Sequence, residues 1–313
     1  MKILIGTGGW SYFKLPKEMG DKLKWYARAF NVVEVNSTFY EIPPIEVVKK
    51  WRKRTSSNFE FTIKCHKSIT HENKLELNNQ TKQILNKIIE ICKTLESQLL
   101  IIQTPPTIKP TQETIEKIEK IIEIAKSNNI RIVWEPRGNQ WKTSEARKLI
   151  EKLVEKHDIV HCTDLSKEEP VKVKDILYTR LFGKGKHNLY QFTKEEIAKI
   201  YKQITKIAGR AEKVYVIAHT KKMYIDAARI KKYIETGKTP SPTRKTGVQA
   251  VIEVLLEDAK FPTTKKKLIE KQGWKVITWK NGKEIKLKEI LEKIPNKKYK
   301  DIIEIWKEIN KIT

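Results

Sequence analysis

The sequence alternates eight times between short apolar segments and longer amphipathic ones over roughly its first 235 residues. The apolar segments are rich in β-branched and aromatic residues, which is typical of buried strands; Arg131–Trp134, between Asn128-Asn129 and Pro136, is an example. Most are followed by a helix pattern with apolar residues at i, i+3 and i+4, as in Thr81–Leu95. Eight such units predict an α/β protein with a (β/α)8 TIM-type barrel. A doubly wound sheet is the alternative, but it would require a glycine fingerprint that the sequence lacks.

The alternation stops at residues 237–246, where a glycine, two prolines and several basic residues predict a linker. We therefore predict a barrel over residues 1–236 and a small, mostly helical C-terminal domain over residues 247–313. Within that domain the turn dipeptide Asn281-Gly282 predicts a short hairpin.

Polar side chains recur where the predicted strands end. Glu135, Pro136 and Arg137 follow the fifth strand directly, and proline cannot continue the ladder of hydrogen bonds. Barrel enzymes place their catalytic groups at the C-terminal ends of the strands, so we expect these side chains to line one pocket. The candidates are Trp10, Glu34, Asn36, Lys64, His66, His71, Gln103, Glu135, Arg137, Asp164, Arg180 and His219.

Two chemistries are compatible with this set. One is metal-assisted hydrolysis, with a divalent metal held by Glu135, Asp164, His66 and His219, although no HxH or HExxH spacing supports it. The other is metal-free acid–base catalysis, with Glu135 or Asp164 as the base and Lys64 or Arg137 stabilising an anion. In the metal-assisted version Lys64 or an arginine would bind a phosphate. The predicted catalytic residues are Glu135, Asp164 and Lys64, and the other candidates are predicted to bind substrate, apart from His66 and His219 where they hold the metal. The structural alternative for each residue is a buried ion pair or a loop cap.

Lys and Arg outnumber Asp and Glu by 64 to 38, which gives a net charge of +26. This charge favours a nucleic acid or another polyanion as partner, but Lys-rich helix faces also occur in thermophile-like compositions. The sequence has no apolar run of membrane-spanning length, and its N-terminus does not resemble a signal peptide. Three cysteines without metal spacing suit a reducing compartment, so we predict a cytoplasmic protein.

Several motifs together resemble the YecE-like family, domain of unknown function 72. They are Gly6–Tyr12, Val33–Tyr40, Phe61–Lys64 with Ile69-Thr70-His71, Gln103 with Pro105-Pro106, and Glu135 with Arg137. The resemblance covers about residues 1–236 and implies a TIM-type barrel, without implying a particular activity. It also implies a pocket lined by Trp10, Glu34, Asn36, Lys64, His71, Gln103, Glu135, Arg137, Asp164 and Arg180. The chain departs from the family at Phe182-Gly183, where the family often has histidine before glycine, and at His219-Thr220. The C-terminal tail is weakly similar to domain of unknown function 2795.

The resulting expectation is a hydrolase-like enzyme, in one version a metal-assisted phosphodiesterase or nuclease, acting on a phosphorylated or nucleic-acid substrate. The loop Lys184–His187 follows strand seven, where barrels often bind phosphate, and supports this substrate class. The alternatives are a nucleic-acid-binding protein without catalysis and a small-molecule enzyme whose charge reflects habitat. The oligomeric state is not predicted.

Overall fold

A computed structural model describes residues 1–14, 20–209 and 211–312 of the chain. Its first eight strands are all parallel and form one sheet in the order β6-β5-β4-β3-β2-β1-β8-β7. They are β1 Lys2–Thr7, β2 Val32–Val35, β3 Glu60–Lys64, β4 Leu99–Thr104, β5 Arg131–Pro136, β6 Val160–His161, β7 Ile176–Leu181 and β8 Lys213–Ala218.

The two end strands of this sheet meet through Thr163, which lies just after β6. Thr163 forms a parallel bridge with Thr179 of β7, and its carbonyl oxygen accepts a hydrogen bond from the backbone N–H of Arg180 at 3.2 Å. The sheet is thereby closed into a cylinder, and the predicted (β/α)8 barrel is confirmed. As expected, the link between β6 and β7 contains no helix.

Helices follow most of the strands, and the one predicted over Thr81–Leu95 is confirmed as Asn79–Thr94. The helices are α1 Lys22–Ala29, α2 Ile45–Lys53, α3 Asn79–Thr94, α4 Gln112–Lys126, α5 Ser144–His157, α6 Lys194–Ile207 and α7 Met223–Thr236. Thr143 caps α5 by accepting a hydrogen bond from the Ala146 N–H, and Thr193 and Glu196 cap each other reciprocally at the start of α6. These side chains satisfy backbone N–H groups that the first turn of a helix leaves without an intrahelical partner. None of the described helices is long and apolar enough to cross a membrane.

The interior of the barrel follows the period of two along each strand. A buried apolar cluster is built from most of the strands, with Leu4, Ile101, Val133, Tyr178 and Ile217 among its members. Successive side chains of a strand point to opposite faces, so the positions two residues beyond these also point inward. This alternation carries polar groups into the barrel at the C-terminal ends of the strands.

Gly6 is required by the packing of β1 on β2. A Cβ atom at this position would lie 2.0 Å from the carbonyl oxygen of Val32 on the neighbouring strand. A glycine here therefore lets the two strand backbones approach closely.

The chain divides into two compact units: Met1–Leu181 with Ile204–Ala218, and Phe182–Gln203 with His219–Thr313. The second unit contains α8 Gly247–Leu256, β9 Thr263–Thr264, α9 Lys265–Gln272, β10 Val276–Thr278, β11 Glu284–Lys286, α10 Leu287–Leu291, β12 Lys298–Tyr299 and α11 Ile302–Lys311. The hairpin predicted at Asn281-Gly282 is confirmed as the antiparallel pair β10–β11. The pair β9–β12 is a second small sheet, which the sequence analysis missed because each strand has only two residues.

Residues 237–246, predicted as a linker, make ordered contacts inside the second unit. The Pro240 carbonyl accepts a hydrogen bond from Arg229 Nε at 2.9 Å, and Ser241 Oγ lies 2.5 Å from Thr278 Oγ1. Arg229, which is 2% exposed, also donates to both carboxylate oxygens of Glu284 at 2.7 and 2.6 Å. Helix α7 is thereby tied to β11, and the domain boundaries at 236 and 246 stay predictions.

Candidate active site

Arg180 lies at the centre of the candidate site. Its side chain on β7 is 1% exposed, and it donates from Nε to Glu34 Oε2 at 2.9 Å and from Nη2 to Glu34 Oε1 at 2.8 Å. Its Nη1 donates to Glu135 Oε2 on β5. The two carboxylates outweigh the effect of burial and raise the pKa of Arg180 above its ordinary value. A cation that is permanently charged is therefore held in one position by planar, two-point hydrogen bonding.

Glu34 is held in place by a second layer of hydrogen bonds. The hydroxyl of Tyr178 donates to Glu34 Oε2 at 3.1 Å and lies 2.8 Å from Thr62 Oγ1. Tyr178 is two residues before Arg180 on β7, so both side chains point into the barrel. The sequence analysis missed Tyr178 and Thr62, although counting back by two from Arg180 would have indicated the tyrosine.

Glu135 bridges two arginines. Besides its contact with Arg180, its Oε1 accepts a hydrogen bond from Arg137 Nε at 2.7 Å. Burial alone would raise the pKa of Glu135, but Arg180 and Arg137 reverse the effect and lower it. Strand β5 extends to Pro136, two residues beyond the predicted Arg131–Trp134, and Arg137 then lies outside the sheet with 36% of its side chain exposed. Glu135 is thus an ionised carboxylate with its oxygens engaged, a poor proton acceptor near neutral pH.

Lys64, the last residue of β3, lies beside this charged group with 6% of its surface exposed. Burial, assisted by the charge of Arg180, lowers the pKa of Lys64 to about 7. The Nζ atom is 3.9 Å from the centre of the Phe39 ring, and this contact acts in the opposite direction because it favours the charged amine. At neutral pH the amine is therefore present in both protonation states, which an exposed lysine is not.

The turn after β2 covers Lys64. Thr38 Oγ1 is 2.8 Å from the carbonyl oxygen of Val35 and 2.7 Å from that of Lys64, which ties the turn to both strands. Asn36 begins this turn, and its Oδ1 atom is buried without a hydrogen-bond partner. A buried acceptor of this kind requires an explanation, and a ligand or water donor is one.

The two predicted histidines after β3 have different surroundings. His71 Nδ1 is 2.8 Å from Thr70 Oγ1, its ring contacts Phe39 edge-on at 4.9 Å, and burial together with Lys64 and Arg137 lowers its pKa. His66 instead bridges Ser68 Oγ at 2.8 Å and the carbonyl oxygen of Tyr40 at 3.3 Å. His71 therefore belongs to the group around Lys64, whereas His66 fastens two loops.

The remaining candidates occupy distinct places. Gln103 is 7% exposed and pairs in register with Glu135, while Trp10 packs edge-on against Trp51 with ring centres 5.1 Å apart. Asp164 caps its own turn: its Oδ1 accepts from the N–H of Ser166 at 3.0 Å and from its hydroxyl at 2.6 Å. His219 belongs to the second unit, where it stacks on Phe182 at 4.7 Å.

The structure also identifies His161 on β6 as a buried group that sequence reasoning passed over. Burial lowers the pKa of His161 to about 3, and its Nδ1 accepts a hydrogen bond from the Val171 N–H at 3.0 Å. A neutral, locally bonded histidine of this type is best explained by packing. The loop Lys184–His187 lies in the second unit and ends in a short helical turn, Lys186–Asn188; its role in phosphate binding stays a prediction.

The proposed metal ligands are not assembled into a site. Within residues 1–14, 20–209 and 211–312, no three His, Cys, Asp or Glu side chains are grouped so that they could hold a metal ion. Glu135 is engaged by two arginines, Asp164 by Ser166, and His66 by Ser68. The residues present therefore do not fit a resident divalent metal, and we assign no step to one.

A cavity of about 530 Å³ opens at the other end of the barrel, beside the N-terminal ends of the strands. The polar side chains that line it pair with one another: Arg131 Nη1 donates to Asp175 Oδ2 at 2.7 Å, and Tyr215 Oη donates to Glu60 Oε2 at 2.6 Å. That end of a barrel generally serves stability. We therefore place the candidate active site at the end that carries Lys64 and Arg180, and not in this cavity.

Comparison with known proteins gives matches to curated relatives and to solved structures. A 70-residue stretch is 41% identical to the UPF0759 protein YecE of Escherichia coli K12, covering 22% of this chain and 26% of that protein. The chain is 27% identical over 122 residues to the UPF0759 protein YunF of Bacillus subtilis, covering 36% of this chain and 43% of that protein. The crystal structure of a DUF72 family protein from Thermotoga maritima superimposes with a TM-score of 0.62 at 21% identity, over 75% of this chain and 100% of that one.

These similarities agree with the resemblance noted in the sequence, and the low identity of the crystal structure supports the fold alone. The chain spans 26% and 43% of the lengths of the two curated relatives it matches. The model of the family described as "protein of unknown function DUF72" matches residues 4–246. The chain therefore belongs to the DUF72 family, whose YecE-like members the sequence motifs indicate.

Proposed function

We propose that this protein is an enzyme that transfers a proton to and from a phosphorylated substrate without a metal, with Lys64 as the proton acceptor. The observation that carries the proposal is the position of the Lys64 amine, which is buried beside the fixed charges of Arg180, Glu34 and Glu135. A base is most effective when its pKa lies near the operating pH, and a desolvated lysine next to another cation reaches that range.

Arg137 is the proposed anion-binding group. Its guanidinium is oriented by Glu135 at 2.7 Å, yet 36% of the side chain is exposed. Arginine recognises phosphate through paired N–H donors, so an oriented and accessible arginine suits this role. The net charge of +26 would draw an anionic substrate toward the protein.

This assignment changes two roles expected from the sequence. Glu135 is a positioning residue in the proposal, because an ionised carboxylate held by two arginines accepts protons poorly. Asp164 is a positioning residue as well, because its carboxylate holds the turn after β6. Hydrolysis, in which Lys64 would take a proton from the attacking water, stays a prediction.

The test combines two readouts on a panel of phosphorylated compounds: release of inorganic phosphate, and exchange of substrate C–H protons in deuterated water. The first detects hydrolysis and the second detects proton abstraction from carbon. We expect activity to rise with pH through about 7 and to fall roughly 10²- to 10⁴-fold in Lys64→Met. The control is Lys87→Met on the exposed face of α3, which should keep full activity. Full activity of Lys64→Met would refute the proposal.

The high net charge favours a second function, non-catalytic binding of nucleic acid. Binding that depends on lysine–phosphate contacts weakens steeply as salt rises. Titration of an oligonucleotide at two salt concentrations, with Lys64→Met in parallel, separates the two functions. A strong salt dependence that Lys64→Met leaves unchanged, without turnover of any compound, would favour the binding protein. A cytoplasmic location and a nucleic-acid partner stay predictions.

A further inference from the structure

An exposed aromatic side chain lies beside the Lys64 site. Tyr40 follows the turn that covers Lys64, and it is 65% exposed. Its ring lies 4.9 Å from the Phe39 ring, nearly perpendicular to it, and Phe39 in turn contacts Lys64 Nζ at 3.9 Å. An exposed ring surface therefore begins within one aromatic ring of the proposed base.

Hydrogen bonds fix the backbone of Tyr40, so its ring projects from an ordered turn. The Tyr40 N–H donates to the carbonyl oxygen of Ser37 at 2.9 Å, and the Tyr40 carbonyl oxygen accepts from His66 Nε2 at 3.3 Å. Thr38, which lies between Ser37 and Tyr40 in the chain, is hydrogen-bonded through Oγ1 to the carbonyl oxygens of Val35 and Lys64. These contacts pre-organise the platform, so little conformational entropy is lost when a planar group stacks on it.

Exposing a tyrosine in this way has no evident structural benefit. The hydroxyl and both ring faces of a buried tyrosine would add to packing, whereas Tyr40 leaves most of its surface in water. His71 also contacts the Phe39 ring, and the charges of Lys64 and Arg137 add to burial in lowering its pKa. Tyr40, His71 and the Lys64 amine thus all contact one ring, Phe39, and Arg137 is close enough to His71 to influence its pKa.

We propose that the substrate of this site is a nucleotide, whose base stacks on Tyr40 while its phosphate binds the oriented guanidinium of Arg137. The inference rests on the proposed function, since it names the substrate class of the same site. An aromatic platform beside a cationic group is how proteins bind nucleotides with little regard for base identity. A sugar phosphate would bind Arg137 through its phosphate but has no base to stack on Tyr40.

The test is calorimetric binding of three probes: adenosine 5′-monophosphate, ribose 5-phosphate and adenosine. Stacking of one base contributes about 1–3 kcal/mol, which corresponds to roughly 5- to 150-fold in affinity. We expect adenosine 5′-monophosphate to bind tighter than ribose 5-phosphate by a factor in this range. Tyr40→Ala should abolish that preference, and Tyr40→Phe should keep it because the ring face is retained. Arg137→Met should instead remove the advantage of adenosine 5′-monophosphate over adenosine.

Equal affinities for adenosine 5′-monophosphate and ribose 5-phosphate would overturn the inference, and so would an unchanged preference in Tyr40→Ala. Circular dichroism of each variant checks that it is folded. Because binding is measured without turnover, the two proposals fail separately: full activity of Lys64→Met would refute the proton transfer, whereas the preferences of Tyr40→Ala and Tyr40→Phe decide the stacking.

Discussion

Replacing Glu34 by glutamine is a stringent test of the buried charge network. The substitution keeps the shape of the side chain but removes the charge that pairs with Arg180, and the two side chains are 0% and 1% exposed. Glu34 accepts three hydrogen bonds, at 2.9 and 2.8 Å from Arg180 and at 3.1 Å from Tyr178. An amide has only one acceptor oxygen, so its NH₂ group must face one of these donors.

The expected loss can be worked from these contacts. Removing one partner of a buried ion pair costs about 3–5 kcal/mol, because the other charge is left uncompensated. Glu135 still contacts Arg180, so we expect the lower end, about 3 kcal/mol in the free energy of unfolding. At roughly 2–4 °C per kcal/mol for a chain of this size class, the unfolding temperature should fall by about 6–12 °C.

Thermal unfolding followed by circular dichroism measures this loss, and a double-mutant cycle isolates its origin. Arg180→Met should also be strongly destabilising, yet the double variant should be less destabilised than the sum of the two, because neither charge is then stranded. Glu46→Gln, which breaks an exposed pair with Lys49 at 2.7 Å, is the control and should leave the unfolding temperature unchanged. Additive losses in the cycle, or a shift in Glu34→Gln no larger than in the control, would refute the reasoning.

Three further outcomes are expected. Burial lowers the pKa of Lys64 to about 7, so the unfolded chain binds more protons than the folded one between about pH 7 and 10.5. The stability that depends on this group therefore rises with pH. Lys64→Met should unfold at a higher temperature than the native protein at pH 6, and its unfolding temperature should no longer rise with pH through this range. Burial raises the pKa of Asp226 to about 7, so its contribution is complete below about pH 4 and is lost as the pH rises to about 7. Asp226→Asn should therefore flatten the decline in unfolding temperature between about pH 4 and 7, and an identical decline in both proteins would contradict the assignment. Burial raises the pKa of Cys65 to about 12 and also raises the pKa of Cys92 and Cys162, so Ellman's reagent at pH 8 should find no rapid thiol in the folded protein and three after unfolding.

Several features of the fold could be predicted from the sequence because they depend on local physics. The period of two in the strands and of three to four in the helices reports which side of each element faces a core. The end of β5 at Pro136 follows from a missing N–H group, and the cap of α5 at Thr143 follows from a side-chain oxygen that satisfies a helix N–H. The number of strands then identified the barrel, because eight consecutive parallel units have few other ways to cover both faces of a sheet.

The sequence alone also indicated the candidate site in outline. Glu34, Lys64, Glu135 and Arg180 were predicted at the rim because each lies at or near the end of a strand. Their common location follows from closure of the barrel, which brings all C-terminal strand ends to one side. This part of the prediction required only topology.

What the tertiary structure decided is the role of each of these groups, since roles depend on distances across the barrel. Glu135 is a paired anion because Arg180, 45 residues away in the chain, reaches it beside the neighbouring Arg137, and the pKa of Lys64 is lowered because the amine is desolvated next to Arg180. Asp164 also follows a strand in the sequence, but its carboxylate accepts hydrogen bonds from Ser166 in its own turn. A strand end determines where a side chain begins, but its charge state is set by partners that only the folded chain brings within a few ångströms.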